Sequence, residues 1–396
     1  MGEKALLPPG LADVLPPETT AEASAVEHLI DAFQSHGYER IKPPLMEFEP
    51  SLLSGTGAAM VDQTFRLMDP ASQRMMGLRA DMTPQAARIA ATRLAGRPRP
   101  LRVAYAGDVL RVQGSQLRPE RQFVQVGAEL IGAEGDTADA EVIAMAVETL
   151  GHLGITDISV DLGQPRLVTA ILEDLGIGGE AADRLRQALD RKDAAETTQA
   201  SARADAHTDG KASALLPPLL DAVGPAQAGL DHLHRLPLGP AGEQARQAFA
   251  GVVLRLGEAI PKTVLTLDPV ENRGFEYHSG VTFTFFAPGV RGELGSGGRY
   301  LAGGDDGNGS AVAEPATGFT LFMDTILRAL PAAEAPTRLF VPLATPRHQA
   351  AVLRDEGWIT VMSLDGASDD ADEARRMGCS HLLTPAGPAA LDETGE

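Results

Sequence analysis

The residues best placed to do chemistry lie in one short run, Arg121-Gln-Phe-Val-Gln125-Val-Gly-Ala-Glu129-Leu130. Side chains of an extended strand alternate between its two faces. One face then carries Val124, Val126, Ala128 and Leu130, suited to packing beneath helices, and the other carries Phe123, Gln125, Gly127 and Glu129. An amide and a carboxylate on either side of a glycine make a notch floored by backbone. Glu129 can balance an ammonium group there, and Gln125 can both donate and accept hydrogen bonds. The same alternation also fits the solvated face of an antiparallel sheet, so periodicity alone leaves two readings open. The apolar run before it brings an opposite charge, Arg111. Its guanidinium fork suits a carboxylate or phosphate of a ligand, or a plain ion pair with Glu129 or Asp108.

The surrounding pattern says what must hold these groups in place. Residues 101–131 read as an antiparallel hairpin, two apolar alternating runs around a polar loop at 113–120. A first helix is predicted from Thr19 and Glu22, spaced as a capping box, with Val26, Leu29, Ile30 and Phe33 as one stripe ending near Gly37. An extended segment over 38–45, broken by Pro43 and Pro44, follows it. Residues 137–151 read as helix, with Val142, Ala146 and Leu150 along one face. Residues 164–263, rich in Ala, Leu, Asp and Arg and poor in aromatics, read as a helical insertion. Strand character returns at 282–286, and a Gly-rich stretch covers 292–309. A tail over 337–396 has strands at 339–343, 359–362 and 381–384, separated by helices. Antiparallel strands flanked by helices give an α+β fold, with the core at 1–163 and 264–330. Neither GxGxxG after a strand nor GxxxxGK[ST] occurs, so the common nucleotide folds find no support.

Composition narrows the function classes. With 34 basic and 54 acidic residues the formal charge is −20, which argues against a chain that must neutralise many phosphates of a nucleic acid. A single cysteine, Cys379, excludes an internal disulfide and a Cys-rich metal site and fits a reducing, cytoplasmic setting. The nine histidines are scattered, and the one close pair, His232 and His234, sits in a Pro/Gly-rich stretch, so no metal and no cofactor is expected. No apolar run reaches membrane-spanning length, and the N-terminus lacks a secretory signal.

Several segments together resemble one family. Residues 107–114 followed by 121–129 are similar to motif 2 of class II aminoacyl-tRNA synthetases in its histidyl form. Ile41-Lys-Pro-Pro44-Leu-Met-Glu47 resembles motif 1, the dimer-forming segment. Leu78-Arg79-Ala-Asp81-Met-Thr83-Pro84-Gln85 resembles the segment that contacts the amino group of histidine. Arg273-Gly-Phe-Glu276-Tyr277-His278-Ser-Gly280 is similar to the histidine-specific motif, and Gly297-Gly298-Arg299-Tyr300 matches the segment after it. The resemblance spans roughly residues 5 to 330.

The departures from that pattern carry as much information. Where motif 2 has a glutamate that helps place ATP, this chain has Gln113. The stretch matching motif 3 is Gly318-Phe-Thr-Leu-Phe322-Met-Asp324-Thr325, with a bulky phenylalanine for glycine and Thr325 for the arginine that holds ATP phosphates. Stabilising charge on a phosphoryl group is electrostatic work, and losing that cation should cost orders of magnitude in rate. About 60 residues follow Pro336, shorter than the family's anticodon-binding domain, and residues 365–373 are acidic.

The histidine pocket, by contrast, reads as nearly intact. Asp81, Thr83, Arg111, Gln125, Glu129, Arg273, Tyr277 and His278 are its candidate residues. Glu129 and Asp81, helped by Gln125, would meet the ammonium. Arg273 or Arg111 would meet the carboxylate, and Tyr277 or Glu276 would orient the imidazole. This combination resembles the regulatory subunits of ATP phosphoribosyltransferase, a paralogous branch. The resemblance implies a histidine sensor that does not charge tRNA and that supports a short-form ATP phosphoribosyltransferase catalytic subunit. It also implies a homodimer within a hetero-octamer. A divergent but active histidyl-tRNA synthetase is the alternative, and it would need another cation in place of Thr325.

Overall fold

The computed structural model describes residues 7–115, 118–271, 278–303, 313–331, 336–366 and 369–391. The chain divides into two compact units, Met1–Pro331 and Ala332–Glu396. The first opens with α1 (Glu18–Ser35) and continues through β1 (Glu39–Arg40), β2 (Met46–Phe48), α2 (Glu49–Leu52), β3 (Arg66–Met68), β4 (Met75–Leu78) and α3 (Thr83–Ala91). The stripe of α1 is buried at Ala25, Leu29, Ile30 and Phe33, while Val26 is only partly covered. The expected capping box does not form. The helix starts at Glu18 behind Pro17, without a side-chain cap, so Thr19 and Glu22 already lie inside its first turns. Proline carries helix-compatible φ and brings the chain into the helix in the box's place. The extended segment over 38–45 shrinks to β1, because Pro43 and Pro44 cannot donate to a ladder.

β5 (Leu101–Leu110) and β6 (Gln122–Ile131) form the hairpin read from the sequence, in register from Leu101 opposite Ile131 to Leu110 opposite Gln122. α4 (Asp136–His152) then leads to β7 (Ser159–Gly163). Helices α5 (Pro165–Asp174), α6 (Gly179–Asp190), α7 (Ala194–Thr208) and α8 (Lys211–Leu215) follow. A two-residue strand β8 (Gly224–Pro225) precedes α9 (Ala226–Arg235) and α10 (Pro240–Ala259). β9 (Val264–Asp268) runs parallel to β7. The unit closes with β10 (His278–Phe286), β11 (Gly295–Ala302), β12 (Glu314–Phe322) and α11 (Met323–Ala329). The nine-stranded sheet has the order β1-β5-β6-β12-β11-β10-β7-β9-β8, antiparallel from β5 through β7, while β2, β4 and β3 make a small separate sheet.

The alternation along β6 is realised in the packing. Val126, Ala128 and Leu130 join one apolar cluster with α1, α4 and the helices of 165–259, whereas Phe123 belongs to a second cluster with Tyr105, Tyr300 and α3 on the opposite face. Phe319 of β12 ties the helical face together, edge-on to Phe33 at 5.4 Å and to Phe285 at 6.1 Å between ring centroids.

The second unit holds β13 (Arg338–Val341), α12 (Arg347–Asp355), β14 (Ile359–Met362), α13 (Asp370–Arg376), β15 (His381–Thr384) and β16 (Gly387–Ala390). Its sheet order is β14-β13-β15-β16. The first three strands are parallel and match the sequence reading. β16, antiparallel to β15, is an addition, since Gly-Pro-Ala-Ala carries no β-branched signal.

Phe319 is fully buried between three elements, so Phe319→Ala should destabilise the first unit by about 3–5 kcal/mol. Urea unfolding followed by circular dichroism will show a lower midpoint with an unchanged slope. A shift below about 1 kcal/mol would refute the packing role.

Candidate ligand pocket

Glu129 sits on the interior strand β6, fully buried on the face away from α1 and α4. A carboxyl in that position needs donors, and two tyrosines supply them. Tyr105 Oη donates to Oε1 at 3.0 Å and Tyr300 Oη to Oε2 at 2.9 Å. The Tyr105 hydroxyl also meets Thr83 Oγ1 and Thr320 Oγ1, each at 3.1 Å. Burial pushes the Glu129 carboxyl up to about 8, against the opposing pull of these hydroxyls.

The backbone notch expected at Gly127 is not ligand space. Tyr105 lies directly opposite Gly127 in the ladder, and a Cβ on Gly127 would run into the Tyr105 ring. On the other side Gly318 faces Glu129, and a Cβ there would collide with its carboxylate. Both glycines let side chains lie flat across the sheet.

Asp81 stands at the start of α3. Its Oδ1 accepts from the Thr83 backbone N–H at 2.8 Å, and its Oδ2 accepts from Gln125 Nε2 at 3.0 Å. Gln125 Oε1 in turn accepts the Met82 N–H at 3.1 Å. Gln125 is therefore fully buried behind Asp81 and serves to hold it, and it is not among the residues lining the cavity. Arg111 Nη2 lies 4.0 Å from Asp81 Oδ2, so its ion-pair partner is neither Glu129 nor Asp108. Its Nε donates to the Ala80 carbonyl at 3.3 Å, and burial lowers its pKa, with desolvation outweighing Asp81.

These groups open onto one cavity of about 360 Å³, lined by Asp81, Thr83, Arg111, Glu129, His278 and Tyr300, and also by residues 113–115, Arg118 and Glu120. That volume is at the small-ligand end of the usual range. His278 lies against Gly298, where a Cβ would press on its ring. Arg273, Glu276 and Tyr277 lie outside the described residues. Of the eight candidates, the structure thus brings Asp81, Thr83, Arg111, Glu129 and His278 to the cavity wall and Gln125 behind it.

Sequence reasoning missed the far half. Arg118 reaches across from the loop to Asp324 and Glu293, over the ring of Phe322. A lone arginine in a polar loop gives no periodic signal of the strand end it will meet. Tyr105 and Tyr300 had one usable cue, a tyrosine alternating onto the Glu129 face, but cross-strand register was needed to use it.

A carboxyl held neutral by burial, a second carboxylate anchored by a helix start, and a guanidinium beside it suit a small ligand with both an ammonium and a carboxylate. The sheet order and this pocket on its polar face define a class II aminoacyl-tRNA synthetase-like core. The family model for histidyl-tRNA synthetase matches residues 10–326.

Among solved structures, an ATP phosphoribosyltransferase regulatory subunit/histidyl-tRNA synthetase from Bacillus halodurans superposes with TM-score 0.78, at 26% identity, over 95% of this chain and 97% of that one. Histidyl-tRNA synthetase from Nostoc sp. PCC 7120 superposes with TM-score 0.77 over 96% of this chain and 91% of its own. Its 17% identity speaks for the fold alone. Similarity over the whole length is closer to one branch. The ATP phosphoribosyltransferase regulatory subunit of Paramagnetospirillum magneticum is 54% identical over 97% of both chains. That of Rhodospirillum centenum is 51% identical over 96% of this chain and 94% of its own. The chain belongs to the histidyl-tRNA synthetase family and, within it, to the ATP phosphoribosyltransferase regulatory subunits.

The raised Glu129 carboxyl has a consequence for stability. An unfolded glutamate ionises near pH 4.3, whereas this one keeps its proton to about pH 8. Between those values the folded state binds the extra proton, so stability is highest below the window and falls as pH rises through it. Glu129→Gln should flatten the slope by up to about 1.4 kcal/mol per pH unit, read from urea midpoints between pH 5 and 8. Parallel slopes in both proteins would show that Glu129 ionises normally.

Proposed function

We propose that the pocket binds histidine and that the chain acts as a non-catalytic feedback sensor for a short-form ATP phosphoribosyltransferase catalytic subunit. The observation that carries this reading is the meeting of Glu129, Asp81 and Arg111 in one small cavity, while α11, which follows the cavity-lining Phe322, has Thr325 where phosphates would need an arginine. The ammonium of histidine takes Asp81 and Glu129 as partners, its carboxylate takes Arg111 or Arg273, and Tyr277 or Glu276 orients the ring. Gln125 and Tyr105 position the two carboxyls. Histidine alters the partner's activity to the extent that it binds one conformation of the complex better than another.

The homodimer within a hetero-octamer, the cytoplasmic setting and the absence of tRNA charging belong to the same proposal. In its support, the charge is −20, and among the described residues no helix is long and apolar enough to cross a membrane. One observation favours the alternative of an active synthetase: Arg118 Nη2 comes within 3.4 Å of Thr325 Oγ1, which returns a cation to that place. Its charge is already taken up by Asp324 and Glu293.

Isothermal titration of the full chain with histidine tests the assignment. Glu129→Gln and Arg111→Ala should each weaken binding on the order of tenfold to a hundredfold. Unchanged affinity in both would sink it. ATP–pyrophosphate exchange by the same preparation should stay at background, and robust exchange would establish the synthetase reading instead.

A further expectation concerns protons. Near pH 7 the empty Glu129 carboxyl is mostly protonated. Pairing it with an ammonium then releases close to one proton (about 0.9 for a group that ionises fully). The binding enthalpy should vary with the ionisation enthalpy of the buffer, and Glu129→Gln should remove that dependence. A wild-type enthalpy that is the same in phosphate and Tris would refute it.

A further inference from the structure

The half of the cavity away from Glu129 is organised by Arg118, a buried guanidinium. Its Nε donates to Asp324 Oδ2 at 3.0 Å, and its Nη2 stands 3.3 Å from Glu293 Oε1. Phe322 lies under the guanidinium carbon at 3.7 Å and Phe123 at 5.1 Å from the ring centroids, so the group is fixed from the sides as well. A cation held there would suit a phosphoryl group, but two carboxylates already close on it. Arg328 adds a further charge, 3.7 Å from Asp324 and 3.6 Å from Glu120. Among the described residues on this wall and just behind it, the guanidiniums of Arg111, Arg118 and Arg328 thus face the carboxylates of Asp81, Glu120, Glu293 and Asp324. That balance is negative before Glu129 is considered.

We propose that Asp324 and Glu293, by occupying Arg118, are specificity determinants that make the pocket refuse polyphosphate while admitting a singly charged carboxylate. This deepens, and rests on, the reading of the cavity as an amino-acid site. A polyphosphate must displace both carboxylates from a partly desolvated cation, and it then sits beside them as a like charge at low dielectric. A ligand carboxylate at Arg111 displaces no one. The Arg111–Asp81 separation of 4.0 Å lies beyond hydrogen-bonding distance. Asp324 and Glu293 act on the ligand through Arg118 and are positioning residues in this sense.

The experiment is isothermal titration of inorganic pyrophosphate into three full-length proteins: wild type, Asp324→Asn/Glu293→Gln, and that double variant with Arg118→Gln. Asparagine and glutamine still accept hydrogen bonds from Arg118, so its place is kept while its charge is freed. The wild type should give no measurable binding, and the double variant should bind at least about tenfold more tightly. Replacement of Arg118 should abolish that gain.

Circular dichroism melting checks the fold. If the double variant melts early, Glu293→Gln alone provides the comparison, since that carboxylate is the more exposed of the two. A folded variant that binds pyrophosphate no better than wild type overturns the proposal, as does tight binding by wild type. Histidine titrated into the same proteins separates the two readings. A wild type that binds neither ligand, beside a double variant that gains pyrophosphate, overturns the amino-acid reading and supports the carboxylate clamp.

Discussion

The structure of the pocket depends on the burial of one carboxyl, Glu129, on an interior strand of a nine-stranded sheet. A carboxyl taken out of water there is tolerable only with donors on its oxygens, and it prefers to keep its proton. Both donors come from neighbouring ladders: Tyr105 on β5 and Tyr300 on β11, one strand beyond β12. Their side chains must lie across the strands between, which sets the residues opposite. Gly127 leaves room for the Tyr105 ring and Gly318 for the Glu129 carboxylate itself. A single polar demand thus accounts for two tyrosines and two glycines on four strands.

The other face of the same strands obeys a simpler rule. Val126, Ala128 and Leu130 on β6, with Phe319 and Leu321 on β12, pack under the helices. Because strand side chains alternate, each apolar residue in the helical core fixes the direction of its polar neighbour. Phe319 in the core places Thr320 at the Tyr105 hydroxyl. The precision of the site is therefore inherited from packing on the far side of the sheet, and a slip by one residue would exchange the two faces entirely.

This division explains what could be read in the sequence. The hairpin of β5 and β6, the helix of 136–152 and the two faces of 123–130 follow from local periodicity and were legible. The start of α1 was not, since Pro17 and a Thr–Glu pair compete to begin the helix and only the packed structure shows which prevails. Gln125 was legible as an amide on the polar face of its strand, yet its partner Asp81 lies 44 residues earlier, and that distance turned an apparent ligand contact into a support. Arg118 and Asp324 are separated by 206 residues. No local pattern in a polar loop announces such a pairing.

The motif comparison located the missing arginine at 325, and the geometry changes what that absence means. The place beside Thr325 is not devoid of positive charge, since Arg118 reaches it from the hairpin loop. What distinguishes this pocket from one built for phosphoryl transfer is that the cation arrives with its own carboxylates and an aromatic ring pressed against it. Stabilising developing phosphoryl charge requires donors poised for the ligand. Sensing requires only that a ligand bind one state better than another. On the proposed reading, a neutralised cation beside a site for an ammonium and a carboxylate fails the first requirement and leaves the second untouched. Under that proposal, loss of chemistry and retention of recognition are compatible, because different guanidiniums, Arg118 and Arg111, serve the two.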